Sequence, residues 1–375
     1  MTAKIALLFE YGTVSGGENS LLTLLPLLHT KGITFCAITP DETGPLAEKI
    51  KALNVEWIPL ANRDTTLAGR RESLARLLRP MQSSVTLFHA NSLSMGRLAG
   101  PVTAELGIRS VAHLRDIIRL SRAAVDDLRR HHALFAVSDA VRRFHLEQGV
   151  DSERCHVLYN GVDLVQFQPT EPTFFLHREL HLPTNAKLLG TIGQIGLRKG
   201  QKRLLETIKP LFIARNDFHV VILGERWSGK AESIQYEAEL RQLAASRPFC
   251  GRVHFLGFRH DIDKILRELT VLVHPAFQEP LGRVLLEAAA SGCCVVASNV
   301  GGTAEIFPPE TNTASLFSWE HPESLSPMLE RLLDDENLRY DFGRRARKRV
   351  EERFSAEFAA ENLSHHYSFV VRPEN

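Results

Sequence analysis

Short apolar runs recur along this chain, each closed by a glycine or polar loop and followed by a stretch with helical spacing. The first is Ile5–Phe9, and Thr34–Thr39, Val55–Ile58, Val85–His89, Ser110–His113, Leu134–Ser138 and Val157–Tyr159 follow it. Runs this short and this apolar predict strands buried on both faces. Between them, Glu18–His29 sets Leu21, Leu22, Leu25 and Leu28 at helical spacing, and Gly44–Leu53, Thr66–Leu78, Arg97–Leu106 and Asp139–Gln148 also predict helices. Alternation of this kind predicts a parallel sheet with helical crossovers, a doubly wound α/β domain over residues 1–167.

The pattern breaks over 168–184, where Pro169, Pro172 and Pro183 stand among charges with no clean period. This segment is expected to be a linker. A second series then predicts another Rossmann-like domain over 185–354. Its strands are Leu188–Ile192, Phe218–Leu223, Val253–Leu256, Val271–Val273, Cys293–Ala297 and Ala314–Phe317. Its helices are Gln201–Ala214, Ile234–Ala245, Asp261–Leu269, Val284–Ala290, Pro322–Asp334 and Glu336–Arg353. The tail, 355–375, carries a helix over Ser355–Tyr367, with Phe358, Leu363 and Tyr367 as docking residues. Two αβα domains facing each other across a cleft are expected.

Composition narrows the function classes. The 375 residues are 44% apolar, enough for two ordinary cores, and a formal net charge of +1 gives no overall drive toward nucleic acid. The basic block Arg344–Arg353 reads as a solvated helix face, since no aromatics interleave with its charges. The five cysteines form no C-x-x-C pair, and adjacent Cys293 and Cys294 lie in an apolar strand as reduced core residues. The sixteen histidines show no H-E-x-x-H spacing. Neither a signal-type start nor a run of ~20 apolar residues is present, so a cytoplasmic protein is expected, touching the inner membrane face at most peripherally. Oligomeric state is left open.

The most informative stretch is Val271–Pro308. A strand leads into the loop His274–Pro280 with its one acid, Glu279; Gly282 then opens a small-residue helix that contains Glu287. Eight residues separate the two acids, roughly 12 Å of axis if both were helical. That is too far for a carboxylate pair acting on one glycosidic bond, but suits the two ends of one long ligand. Glycine pairs open helices elsewhere: Gly16-Gly17 after the first strand is an anion seat, with free backbone N–H groups and no side chain in the way. Gly16, Gly17, His113, Lys199, Glu279, Glu287 and the Gly301-Gly302 pair all fall at strand ends or helix starts, where open parallel sheets bind ligands.

These residues carry a resemblance that covers nearly the whole chain. The run Glu279–Glu287, EPLGRVLLE, followed by AAASGCCVVASNVGG, resembles the signature of the retaining GT-B glycosyltransferases of family 4, also called group 1. Gly16-Gly17, the segment Ser138–Val141, the turn Asn160–Asp163 ending at Phe167, the loop Arg198–Gly200 and the run Phe255–Gly257 support it in order. The resemblance implies a donor that is a nucleoside diphosphate sugar, with UDP and GDP both open. Glu287 then holds the ribose hydroxyls, Glu279 lies near the donor sugar, and N–H groups near Gly282 face sugar and phosphates. His113 contacts the sugar near its hydroxymethyl group. Lys199 matches the lysine of the family's basic pair, whereas the usual arginine position holds Gln194. Arg198 and Arg283 are the candidates to supply the missing charge to a diphosphate leaving group. His89 and Asn91 are assigned to the acceptor side. The acceptor is a glycan, a lipid-linked glycan or a small molecule. No cofactor and no divalent metal are expected, and no nucleic-acid partner. Two alternatives stay open: a nucleotide-sugar epimerase, and a non-catalytic protein that binds nucleotide sugars.

Overall fold

The computed structural model describes residues 3–40, 43–61 and 65–372. The chain forms two compact units: residues 1–161 with 354–375, and residues 162–353. The divide falls at Gly161/Val162 and Arg353/Phe354, not within 168–184. The expected linker is part of the second unit. Its Thr173 donates through N–H and hydroxyl to buried Glu268 at 2.7 and 2.9 Å, and its residues Phe175–Glu179 form a short helix. The three prolines that mark this segment are exposed, and it is anchored through Thr173 and the buried Leu176 and His177.

The first unit has seven parallel strands: β1 (Ala3–Leu8), β2 (Ile33–Pro40), β3 (Glu56–Leu60), β4 (Leu87–Ala90), β5 (Ser110–Leu114), β6 (Ala133–Ala136) and β7 (Cys155–Val157). Their order is β3-β2-β1-β4-β5-β6-β7, so the chain runs outward from β1 and then restarts beside it at β4. The second unit has six: β8 (Lys187–Ile192), β9 (Phe218–Leu223), β10 (Val253–Gly257), β11 (Val271–His274), β12 (Val295–Ser298) and β13 (Ser315–Phe317). The order β10-β9-β8-β11-β12-β13 restarts between β8 and β11. Each sheet thus has one point where the winding reverses, and there the crossover loops diverge and leave a crevice at the strands' carboxyl ends. Ile5, Leu7, Leu8, Leu272, Val295 and Val296 are fully buried, as continuous apolar strands covered on both faces must be.

All thirteen expected strands are present, and the helix boundaries differ where proline intervenes. The expected helix Glu18–His29 is two, Gly16–Leu22 and Leu25–Thr30, with Pro26 at the start of the second. Gln201–Ala214 likewise divides into Gln201–Thr207 and Lys209–Ala214 at Pro210. A proline has no N–H for the bond to the residue four back, so the helix restarts there with proline in its tolerated first turn. The helix expected from Arg97 begins at Leu93, because Ser92 caps it by accepting from the Met95 N–H at 3.1 Å. A further helix, Arg122–Leu128, is capped by Ser121 and has no clear apolar period to mark it in the sequence.

The last helix, Ala356–Val371, belongs to the first unit. Ser355 caps it, and Ala356, Ala359, Ala360, Leu363, Tyr367 and Val370 form its buried stripe in one core with Leu21, Leu25, Leu28 and Phe135. Gly161 permits the approach: a Cβ there would stand 2.7 Å from the Ala356 Cα. Among the described residues no helix is long and apolar enough to cross a membrane.

Candidate active site

In the second unit the candidate residues gather at the reversal between β8 and β11. The loop after β8 carries Lys199, and the loop after β11 carries Glu279. The Lys199 Nζ donates to Glu279 Oε2 at 2.6 Å, and His274, the last residue of β11, donates from Nε2 to the same oxygen at 2.8 Å. Backbone bonds hold these loops together. The Phe277 N–H donates to the Arg198 carbonyl at 2.8 Å, and the Gly302 N–H donates to the Glu279 carbonyl at 3.0 Å. Gly200 has φ +71° and a Cβ there would sit 2.1 Å from the Pro275 carbonyl oxygen, so only glycine lets the two loops touch.

Glu279 and His274 are both buried. Burial alone would raise the Glu279 carboxyl, but the Lys199 ammonium and the His274 bond over-ride it and hold the group well below the usual carboxylate range. His274 is pushed down, by burial first and by Lys199, against the opposing pull of Glu279. The cluster is therefore ammonium, carboxylate and neutral imidazole, with the His274 N–H as a neutral donor.

The helix Arg283–Ala290 starts four residues beyond Glu279, so only Glu287 is helical. Gly282 precedes it with φ +101°, and a Cβ there would press Leu285 at 2.6 Å and the Glu279 side chain at 3.3 Å. The Leu285 and Leu286 N–H groups bond the Gly282 carbonyl at 3.0 and 3.3 Å, and the positive end of the helix dipole lies at this start. Arg283 donates from Nε to Glu287 Oε1 at 2.6 Å, one helical turn on. Arg283 is thus already committed to Glu287, whereas the Arg198 side chain is exposed and forms no hydrogen bond or ion pair among the described residues. Gln194 is exposed as well; its carbonyl accepts from Gln201 at 3.0 Å. The sequence contains a D-x-D triplet, Asp261-Ile262-Asp263, but among the described residues no group of three or more His, Cys, Asp or Glu side chains is placed to hold a metal ion. Asp261 is occupied by Arg259, which donates to both of its carboxylate oxygens at 2.9 and 2.8 Å.

In the first unit the reversal lies between β1 and β4, and the residues there are joined by Arg115. Its Nε and Nη2 donate to the Asn91 carbonyl and side-chain oxygen at 2.9 and 2.8 Å, and its Nη1 to Asn160 Oδ1 at 2.9 Å. Asn91 in turn donates to the Gly17 carbonyl at 3.2 Å, which ties the loop after β1 to the end of β4. A Cβ on Gly17 would meet the Arg115 side chain at 3.1 Å. Ahead of Gly16, the Glu18 carboxylate accepts the Ser15 N–H at 3.1 Å, so a resident acid occupies part of the expected anion seat.

His89 corrects an expectation. It is fully buried, with Nδ1 on the Tyr367 hydroxyl at 2.5 Å and Nε2 on His113 Nδ1 at 2.7 Å. It has no path to an acceptor, because β4 lies inside the sheet and the last helix covers it. Asn91 is also buried and spends its amide on Gly17 and Arg115. His113 stays a site candidate: among the described residues its Nε2 makes no hydrogen bond, and it is not among the sealed polar atoms without a partner. Burial, then Arg115, pushes His89 down to about 3, and the same causes hold His113 well below its ordinary value. Both rings are neutral. Burial lifts the Cys293 thiol to about 12, which fits a core residue and not a nucleophile.

Sequence reasoning missed His274, Arg115 as a hub, and the polar use of Tyr367. His274 closes an apolar strand five residues before Glu279, and that position was a usable signal.

The chain is similar to known proteins along most of its length. Residues 173–349 match the family described as glycosyl transferases group 1, and residues 14–166 match glycosyltransferase family 4. A putative glycosyltransferase YtcC of Bacillus subtilis is 27% identical over 64% of this chain and 60% of its own length. The lipopolysaccharide core biosynthesis mannosyltransferase LpcC of Rhizobium leguminosarum is 26% identical over 96% of this chain and 94% of its own. Several curated relatives are matched over only 51–60% of their length. Among solved structures, Anabaena HepE in complex with UDP and glucose superposes with a TM-score of 0.85 at 22% identity, covering 98% of this chain and 99% of that one.

Proposed function

This chain belongs to the group 1 glycosyltransferases, of GT-B fold, and on that premise we propose that it transfers a hexose from a nucleoside diphosphate sugar to an acceptor hydroxyl. The observation that carries the reading is the buried Lys199–Glu279–His274 cluster at the winding reversal of the second sheet, directly before the helix that bears Glu287. A diphosphate needs cations and N–H groups, a ribose needs a hydroxyl-binding acid, and a helix start supplies the N–H groups between them. Lys199, the uncommitted Arg198 and that helix start provide the counter-charge, so the reaction needs no divalent ion.

In this reading anomeric configuration is retained. The bond from the anomeric carbon to the diphosphate oxygen breaks with its electron pair leaving on the nucleotide. The acceptor oxygen bonds to the anomeric carbon from the same face, and its proton passes to the departing phosphate oxygen. The protein orients both partners and stabilises the charge on the leaving group. Relatives whose names carry lipopolysaccharide core mannosyltransferase and alpha-maltose-1-phosphate synthase support acceptors of the glycan and sugar-phosphate kind. HepE, solved with UDP-glucose, favours UDP over GDP.

A thermal-shift screen of UDP, GDP, ADP and their glucose and mannose conjugates tests this directly. One diphosphate series should raise Tm, by mass action on the native state. No shift with any member sinks the donor assignment, and binding without turnover across an acceptor panel supports the non-catalytic alternative. Glu287→Gln should weaken the selected nucleoside diphosphate by about 10-fold, roughly 1.5 kcal/mol for one charge-assisted hydrogen bond. Calorimetry with the 2′-deoxy nucleotide separates the ribose role: the variant and the deoxy ligand should not be additive.

A further inference from the structure

We infer that Tyr367 and His89 are positioning residues that fix His113 as a hydrogen-bond donor through Nε2, available to an oxygen of a sugar ligand; the substrate half of this rests on the function proposed above. Three buried groups form one chain: the Tyr367 hydroxyl, His89 and His113, at 2.5 and 2.7 Å. Both imidazoles are neutral, so each carries one proton, and the chain can run in only two senses.

In one sense the phenol donates to His89 Nδ1, the His89 Nε2–H donates to His113 Nδ1, and the His113 proton stands on Nε2. In the other sense each ring donates backward, and the Tyr367 oxygen accepts from His89. The phenol proton then has nowhere to go, because Tyr367 makes no second hydrogen bond among the described residues and is enclosed by the core. Sealing a hydroxyl proton without an acceptor is unfavourable, so the first sense wins. His113 is the end of the chain and its Nε2 is its open end.

Tyr367 comes from the last helix, beyond the second unit in sequence. The C-terminal helix therefore sets a proton position as well as covering a core. A sugar hydroxyl or ether oxygen lying on Nε2 meets a donor whose orientation costs no reorganisation on binding.

The test is 15N NMR of the histidine-labelled full chain without ligand, since protonated and bare ring nitrogens of neutral imidazole resonate far apart. His113 should show a protonated Nε2 and a bare Nδ1. A protonated Nδ1 overturns the proposal regardless of any turnover. Tyr367→Phe removes the one fixed donor to this pair among the described residues and should give His89 and His113 mixed tautomers. With UDP-glucose as probe, kcat/KM should fall about 10-fold while the Kd for UDP stays within about 2-fold, a split that general loosening of the helix would not give. An unchanged His113 tautomer in that variant overturns the role of Tyr367; should it fail to fold, the parent spectrum still decides the sense of the chain. Full turnover by His113→Ala, with the Nε2–H tautomer present in the parent, overturns the site reading instead, and with it the substrate half of the proposal.

Discussion

Lys199→Ala is expected to lower kcat/KM by about 10²-fold or more, about 2.7 kcal/mol of transition-state stabilisation. As the bond to the diphosphate breaks, negative charge concentrates on the leaving oxygen, and a fixed ammonium in a partly buried site meets it without reorganisation. Lys199 keeps 17% of its side chain exposed and is pinned by Glu279 at 2.6 Å, so it is ordered before any ligand arrives. The second charge of the family's basic pair is missing at Gln194. The two candidates to replace it differ in their surroundings: Arg283 is bonded to Glu287, and Arg198 is exposed with no ion pair among the described residues. Arg198→Ala should therefore cost about 10-fold in kcat/KM, and Arg283→Ala should act mainly through Glu287 on nucleotide affinity. Gln194→Arg should be tolerated, because the side chain it replaces is exposed. Steady-state kinetics on the four variants, with folding checked by circular dichroism, decide between these outcomes. Full activity of both arginine variants rejects the compensating charge, and full activity of Lys199→Ala rejects the diphosphate site itself.

The parallel sheets are legible in the sequence because the inner strands in them, such as β1, β11 and β12, are apolar on both faces, a signal that survives without an alignment. Two series of strand and helix then imply two doubly wound sheets. What escapes is information carried by spatial neighbours. Proline at the start of a helix and proline inside one look alike when helical spacing runs through both, so Pro26 and Pro210 do not announce the breaks they make. The segment 168–184 is misleading for a related reason. Its prolines and charges resemble a linker unless Glu268 is known to wait for Thr173.

The site divides in the same way. Glu279, Gly282 and Glu287 share short sequence spacing, and the structure brings Lys199, eighty residues earlier on the loop after β8, onto Glu279. His89 stands at a strand end, which marks it as a ligand candidate, but that rule does not say which strand ends are covered. A helix from the far end of the chain covers this one, and its tyrosine uses the ring.

Glu279→Gln should cut kcat/KM by about 10²-fold while leaving nucleoside diphosphate affinity within about 3-fold of the parent. The carboxylate lies between Lys199 and His274 and holds the loop after β11, so its charge orders Lys199, His274 and that loop, which are proposed above as the donor site. Removing that charge frees Lys199 for the diphosphate, which offsets any loss of order in binding but not in the chemical step. Lys199→Ala should instead weaken the diphosphate, so the two variants separate in Kd although they resemble each other in kcat/KM. They share one ion pair, and the double variant should lose far less than the product of the single losses. Stability should respond too, by about 3 kcal/mol, the lower end for breaking a buried pair because Lys199 retains some solvent. The sign with pH follows from the depressed carboxyl of the folded state. Its contribution is present above the unfolded-state value near ~4.3 and is lost as pH falls toward the folded one. The stability gap between parent and Glu279→Gln should therefore be constant from about pH 8 to pH 5 and close below about pH 4. A gap that widens on acidification, or a variant that loses nucleotide binding and turnover in equal measure, would show that Glu279 is a phosphate-site residue and not one that orders the sugar side.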